Sequence, residues 1–117
     1  MPRFVILEHD WPTTHWDFLL EAGAVLRSWR LLGEPAVGRD VPAEPNFDHR
    51  LLYLDYEGPL SGDRGRVRRW DAGTFDWVED GPERVVVELN GGRLRCRAEL
   101  VSSRARFGEP AFTAASG

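Results

Sequence analysis

Three histidines, His9, His15 and His49, lie in the first half of a 117-residue chain, each with carboxylates close by in sequence. The segment His15-Trp16-Asp17-Phe18-Leu19-Leu20 alternates in character. As an extended strand it puts His15, Asp17 and Leu19 on one face and Trp16, Phe18 and Leu20 on the other. Residues two apart on a strand have Cα atoms about 7 Å apart, so an imidazole and a carboxylate can converge on one ion at ligand distances of about 2.0–2.2 Å. His9 closes an apolar run and is separated from His15 by Asp10-Trp11-Pro12-Thr13-Thr14, a turn short enough to return a third ligand to the same edge. Two neutral imidazoles and one carboxylate leave positions open for water and substrate, as a catalytic rather than a closed structural metal site does. The same set serves non-haem iron oxygenases, so ligand type alone does not choose the metal.

Strand-like runs bounded by Gly, Pro, Asn and Asp recur along the chain and helical periodicity is scarce, which predicts an all-β single domain, a small barrel of antiparallel strands and hairpins. The expected strands are Phe4–His9, then His15–Glu21 and Val25–Leu32 joined across Glu21-Ala22-Gly23, and His49–Tyr56. Three prolines between Gly33 and Asp48 argue for a surface loop there. Val67–Trp70 and Thr74–Val78 flank Asp71-Ala72-Gly73, read as a turn, and Arg84–Leu89 and Arg93–Leu100 flank Asn90-Gly91-Gly92, the strongest hairpin signal. In the last of these strands Leu94, Cys96, Ala98 and Leu100 form a core row, while Arg93, Arg95, Arg97 and Glu99 form the opposite face, read as solvated. The barrel is expected over residues 1–107 with a loose tail at 108–117.

Composition narrows the function classes. All fifteen positive side chains are arginine against nineteen acidic ones, giving a net charge of −4, which argues against a broad polyanion-binding surface. Ten of the arginines fall after residue 63, so any nucleic-acid contact should be short and local. Cys96 is the only cysteine, which excludes an internal disulfide and a thiolate metal cage and favours a reducing compartment. The apolar run Phe4–Leu7 is far too short for a signal peptide or a membrane span, so the expected location is cytoplasmic, with no membrane partner. The aromatics Trp16, Phe18, Trp29 and Trp70 read as core residues rather than base-stacking platforms.

The words around the histidines are more specific than their spacing. Phe4-Val-Ile-Leu-Glu-His9-Asp10, His15-Trp-Asp17-Phe18-Leu-Leu-Glu21, Val25-Leu-Arg-Ser-Trp29, Asp48-His49-Arg-Leu-Leu-Tyr53, Tyr56-Glu57-Gly58 and Trp70-Asp71-Ala-Gly73-Thr74 follow one another over about residues 4–100. In that order and spacing the chain resembles the 3′-phosphoesterase domain of bacterial DNA ligase D, as a free-standing short version. The resemblance implies a small β-barrel that trims 3′-terminal phosphates or ribonucleotides with a divalent metal, manganese above all, with zinc or another transition metal as alternatives. It places the metal ligands at His9, His15 and Asp17 and brings His49 and Tyr53 to the phosphate. On a strand, residues four apart share a face, so that pairing is physically consistent. Glu21, the remaining acid of the motif, is a candidate for orienting a ligand histidine or acting as a base for metal-bound water. The implied partners are 3′ ends of DNA or RNA-primed DNA and separate polymerase and ligase repair proteins.

Three departures qualify this. The family usually carries an arginine where this chain has Leu19 and a glutamine where it has Leu7, and its glycine-rich Y-G-x-G segment is cut to Ser61-Gly-Asp-Arg-Gly65. Losing a fork-shaped, permanently charged anion clamp should weaken phosphate binding unless another arginine substitutes; Arg27, Arg30, Arg50 and Arg66 are the candidates. The expected function is therefore metal-dependent 3′-end processing in repair, with a catalytically weakened, metal-containing end-binding or protein-interaction module as the alternative.

Overall fold

Phe4, Val5, Ile6 and Leu7 are all buried, although a strand with one face in water needs only every second residue to be apolar. The reason lies in what covers each face. In the computed structural model of the chain, which describes residues 1–108, Phe4 and Ile6 point into a barrel interior while Val5 and Leu7 join a second apolar patch on its outside. The strands are β1 (Arg3–His9), β2 (His15–Ala22), β3 (Val25–Leu31), β4 (Asp40–Arg50), β5 (Gly58–Pro59), β6 (Arg66–Asp80), β7 (Arg84–Gly91), β8 (Arg97–Val101) and β9 (Arg104–Gly108). They pair antiparallel in the order β1-β2-β3-β4-β9-β8-β7-β6-β5, and β1 also pairs with β6, which closes eight of them into a barrel. The only helical element among the described residues is a single 3-10 turn, Leu51–Leu54. It is too short to cross a membrane.

The interior is filled from every side, with Phe4, Phe18, Trp29, Phe75 and Phe107 among its members and Phe4 packed edge-on to Phe18 at 6.2 Å. Leu94, Cys96, Ala98 and Leu100 are all buried, but only the last two lie on a strand: the one expected over Arg93–Leu100 begins at Arg97, because the preceding residues bend over Asp71. On the opposite row Arg97 pairs with Glu88, Glu99 with Arg84, and Arg95 Nε donates to the Gly91 carbonyl. Arg93 lies over the Trp70 ring at 4.5 Å. Phe18 and Trp29 are core residues as expected, with Trp16 and Trp70 partly buried against the same interior.

Four further expectations need correction. The proline-containing stretch before Asp48 is not a loop throughout: from Asp40 it is β4, paired with β3 along most of its length but with β9 only over Asp40–Pro42. Pro45 therefore sits where the strand has an open edge and no N–H is demanded. Next, the strand expected over His49–Tyr56 ends at Arg50. The chain then winds through Leu51–Leu54 so that Leu54 seals the outer patch. The β2–β3 turn is Gly23-Ala24, with Ala22 opposite Val25, one residue further on than expected. Lastly, Asp71-Ala72-Gly73 is no turn, because β6 runs unbroken through it. The loose tail falls, from residue 109, outside the described residues.

The composition of that false turn has another cause. The buried Asp71 carboxylate accepts the N–H groups of Gly92, Arg93 and Leu94 at 2.8–2.9 Å, as well as that of Ala72. It thereby satisfies the chain where the β7–β8 hairpin departs from ladder geometry. Gly73 is glycine because a side chain there would overlap the Asn90 carbonyl. An acid and a glycine two apart thus form the seat for a neighbouring hairpin. Asp71→Ala should leave several buried amides without acceptors and lower the unfolding free energy by about 3–5 kcal/mol; urea denaturation measures this, and a loss below about 1 kcal/mol would contradict it.

Candidate metal and phosphate site

The site forms at the mouth of the outer patch. On β1 the outward row is Val5, Leu7, His9, and on β2 it is His15, Asp17, Leu19; antiparallel register sets His9 opposite His15 and Leu7 opposite Asp17. The two imidazole rings meet at 4.7 Å between centroids. One ligand atom from each of His9, His15 and Asp17 lies within 4.8 Å of the others, so the three side chains can hold a cation.

Their hydrogen bonds decide which atoms face that point. His15 Nδ1 is 3.0 Å from the Thr13 carbonyl oxygen, and His9 Nε2 is 2.8 Å from that of Arg64. A carbonyl only accepts, so each of those nitrogens carries the proton and donates. In the neutral rings the lone pairs are then His15 Nε2, at 3.2 Å from Asp17 Oδ1, and His9 Nδ1, at 3.6 Å from Asp17 Oδ2. His15 Nε2 is buried and has no hydrogen-bond donor among the described residues. Two lone pairs and a carboxylate facing one another need a positive charge between them, and the donor set fits a divalent metal held by the nitrogens opposite the carbonyl-bound ones. Protons meet the same need in the absence of an ion. Burial pushes the Asp17 carboxyl up, but pairing first with His15 and then with His9 outweighs it and holds the group at about 2. The Asp17 carboxylate in turn raises the His9 imidazole against its partial burial.

Around this cluster lies a cavity of about 380 Å³, lined by His9, Asp17, Arg30, His49, Arg50 and Tyr53 among others. His49 and Tyr53 come together as expected, with ring centroids 5.8 Å apart, although the strand-to-turn transition rather than a shared strand face brings them there. His49 Nδ1–H donates to the Phe47 carbonyl at 3.0 Å, which leaves Nε2 for a ligand. Glu21 is not part of the site. It lies six residues along β2 from His15, roughly 20 Å away, where its Oε1 accepts the Arg3 backbone N–H. Of the arginine candidates, Arg27 is committed to Asp80 and stacks over Trp29 and Trp77. Arg66 lies outside this cavity, its backbone N–H bound to Asp10.

Arg30 is directly opposite Asp17 in the β2–β3 register, its Nε buried with no partner and no carboxylate paired to its guanidinium among the described residues. This pairing follows directly once the turn is placed at Gly23-Ala24. The Arg64 and Thr13 carbonyls had no signal in the sequence, because a backbone oxygen has no residue type.

Residues 7–102 match the family model described as the DNA ligase D 3′-phosphoesterase domain. The chain belongs to this family. Among curated relatives, the multifunctional non-homologous end joining DNA repair protein LigD of Mycobacterium tuberculosis is 37% identical over 113 residues, covering 84% of this chain and 14% of that protein. The multifunctional non-homologous end joining protein LigD of Pseudomonas aeruginosa is 30% identical over 114 residues, covering 89% of this chain and again 14% of its own length. The chain thus spans about one-seventh of these relatives.

Within this phosphoesterase family frame, the departures at Leu7 and Leu19 have a structural account: both are buried in the outer patch with Val5, Leu26, Leu54 and Val67. The Ser61–Gly65 segment serves the site, since Arg64 supplies the carbonyl that orients His9, and its side chain bonds back to Ser61. A divalent metal bound at His9, His15 and Asp17 should raise Tm by roughly 10 °C when present at about 100 times its Kd. Asp17→Asn should remove that rise in scanning calorimetry, and an unchanged wild-type Tm across Mn²⁺, Zn²⁺, Co²⁺ and Fe²⁺ would contradict it.

Proposed function

We propose that this protein is a metal-dependent phosphoesterase that clears 3′-terminal phosphates from DNA or RNA-primed DNA ends in end-joining repair. The observation that carries the reading is the pair of imidazoles whose outer nitrogens are each occupied by a main-chain carbonyl, turning the remaining lone pairs onto Asp17. The membership in the DNA ligase D 3′-phosphoesterase family supplies the substrate class. A bound divalent ion, Mn²⁺ foremost, supplies charge neutralisation at the phosphoryl group and a lowered pKa for water.

The protein's own residues supply the rest. His9, His15 and Asp17 present a preformed ligand set, so little reorganisation is needed when charge develops. His49, fixed through Nδ1, offers Nε2 to the scissile phosphate and, when protonated, donates to the departing 3′ oxygen. Tyr53 donates its hydroxyl proton to a non-bridging oxygen. In the overall reaction the water oxygen forms a bond to phosphorus, the bond between phosphorus and the 3′ oxygen breaks, that oxygen leaves as a hydroxyl, and inorganic phosphate departs. Arg30, across the strand pair from Asp17 and without a carboxylate of its own, takes the place of the anion clamp absent at Leu19. Polymerase and ligase repair proteins would act on the same ends.

The apolar burial of Leu7 and Leu19 favours a competing reading, an end-binding module without turnover. Purified protein with Mn²⁺ and a 3′-phosphorylated primer-template decides between them: multiple turnovers of phosphate release support the enzyme, whereas tight end binding with no release across several metals supports the module. In the active case His9→Ala should be inactive and His49→Ala should lower kcat by about 10²–10⁴-fold. Arg30→Ala should lower kcat/KM by about 10–100-fold with partial retention in Arg30→Lys; an Arg30→Ala enzyme with wild-type kcat/KM would return the clamp role to Arg50.

A further inference from the structure

Phe47 is 74% exposed, although it is a large aromatic on a strand of a barrel with ample interior. Its ring lies parallel to that of His49, 6° between planes and 5.1 Å between centroids, so one π-face is covered by the imidazole and the ring is open elsewhere. Trp11, in the β1–β2 turn and 44% exposed, lines the same cavity as Phe47 and the metal-ligand cluster. Exposed aromatics at a polar cavity cost solvation without stabilising the core, which makes an occupant for them worth seeking.

We propose that Phe47 is a stacking platform for the nucleobase of the strand's terminal nucleotide, with Trp11 as a second apolar wall. The inference deepens the end-processing reading and rests on it for the identity of the strand. Two features choose a nucleotide over other flat ligands. The cavity carries Arg50 and Arg64 besides Arg30, and Arg50 has no acidic partner among the described residues, so a polyanion is complemented there. The same residue that offers the ring also holds His49 through its carbonyl, so a base stacked on the free face of Phe47 lies across that ring from the His49 imidazole, and its sugar is left to carry the 3′ substituent round the ring edge towards His49. Stacking is sequence-tolerant because every base has a π-face, which suits an enzyme that must accept any terminus.

Oligonucleotides ending in a 3′-hydroxyl carry no scissile phosphate, so binding can be read whether or not hydrolysis occurs. Single strands ending in 2-aminopurine should bind the wild-type protein about 10-fold tighter than the same strands ending in an abasic residue, with quenching of the 2-aminopurine fluorescence. Phe47→Ala and Phe47→Leu should both reduce that preference to near unity, and Phe47→Trp should preserve it; loss in the leucine variant separates π-stacking from apolar contact. Equal wild-type affinity for the two ends, or an undiminished preference in Phe47→Ala, would overturn the platform. Absence of phosphate release from a protein that still shows the base preference would instead count against the hydrolytic reading alone.

Discussion

Everything in this molecule hangs on β1, which is hydrogen-bonded along both edges and packed on both faces. Its pairing with β2 on one side and β6 on the other closes the barrel. Phe4 and Ile6 anchor the interior and Val5 and Leu7 anchor the outer patch. A strand so enclosed has no freedom to slip register, since a one-residue shift would exchange its two buried faces. The last outward residue of that strand is His9, so the rigidity of the apolar part is inherited by the ligand at its end.

The site is thus a polar rim on an apolar floor. Leu7, Leu19, Leu26 and Leu54 exclude water beneath the cluster, and the two carbonyls from Thr13 and Arg64 fix the imidazoles from outside it. The low-polarity surroundings strengthen the attraction of the cluster for positive charge, which the ionised Asp17 already expresses through His9. Leu7 and Leu19 make that floor wholly apolar beneath the cluster. Arg30, half-buried on the adjoining strand with its Nε unpartnered, stands across the β2–β3 register from Asp17 at the edge of this floor.

The sequence misled where a local pattern had a distant cause. Asp71 and Gly73 have the composition of a turn but serve the hairpin that rests on them. Pro45 looks like a loop residue until one knows that β4 has a neighbour on only one side beyond Pro42. Leu51-Leu52-Tyr53-Leu54 continues the apolar character of a strand, yet it turns because the outer patch needs a cover. Glu21 belongs to the motif by position in the sequence, but strand rise carries it to the far end of β2. For all but Glu21 the deciding partner is distant in the chain.

By itself, the sequence determined the class of fold, the two-residue spacing that sets His15 beside Asp17, the return of His9 to that edge, and the family. Those are short-range matters, governed by strand periodicity and turn length, and they do not depend on how the rest of the barrel closes. Only the tertiary structure decided which nitrogen of each histidine faces Asp17, which arginine stands across from Asp17, and which aromatic is left open beside His49. Those depend on backbone carbonyls, on register and on what else covers a face, and none of these is written in the identity of the residue concerned.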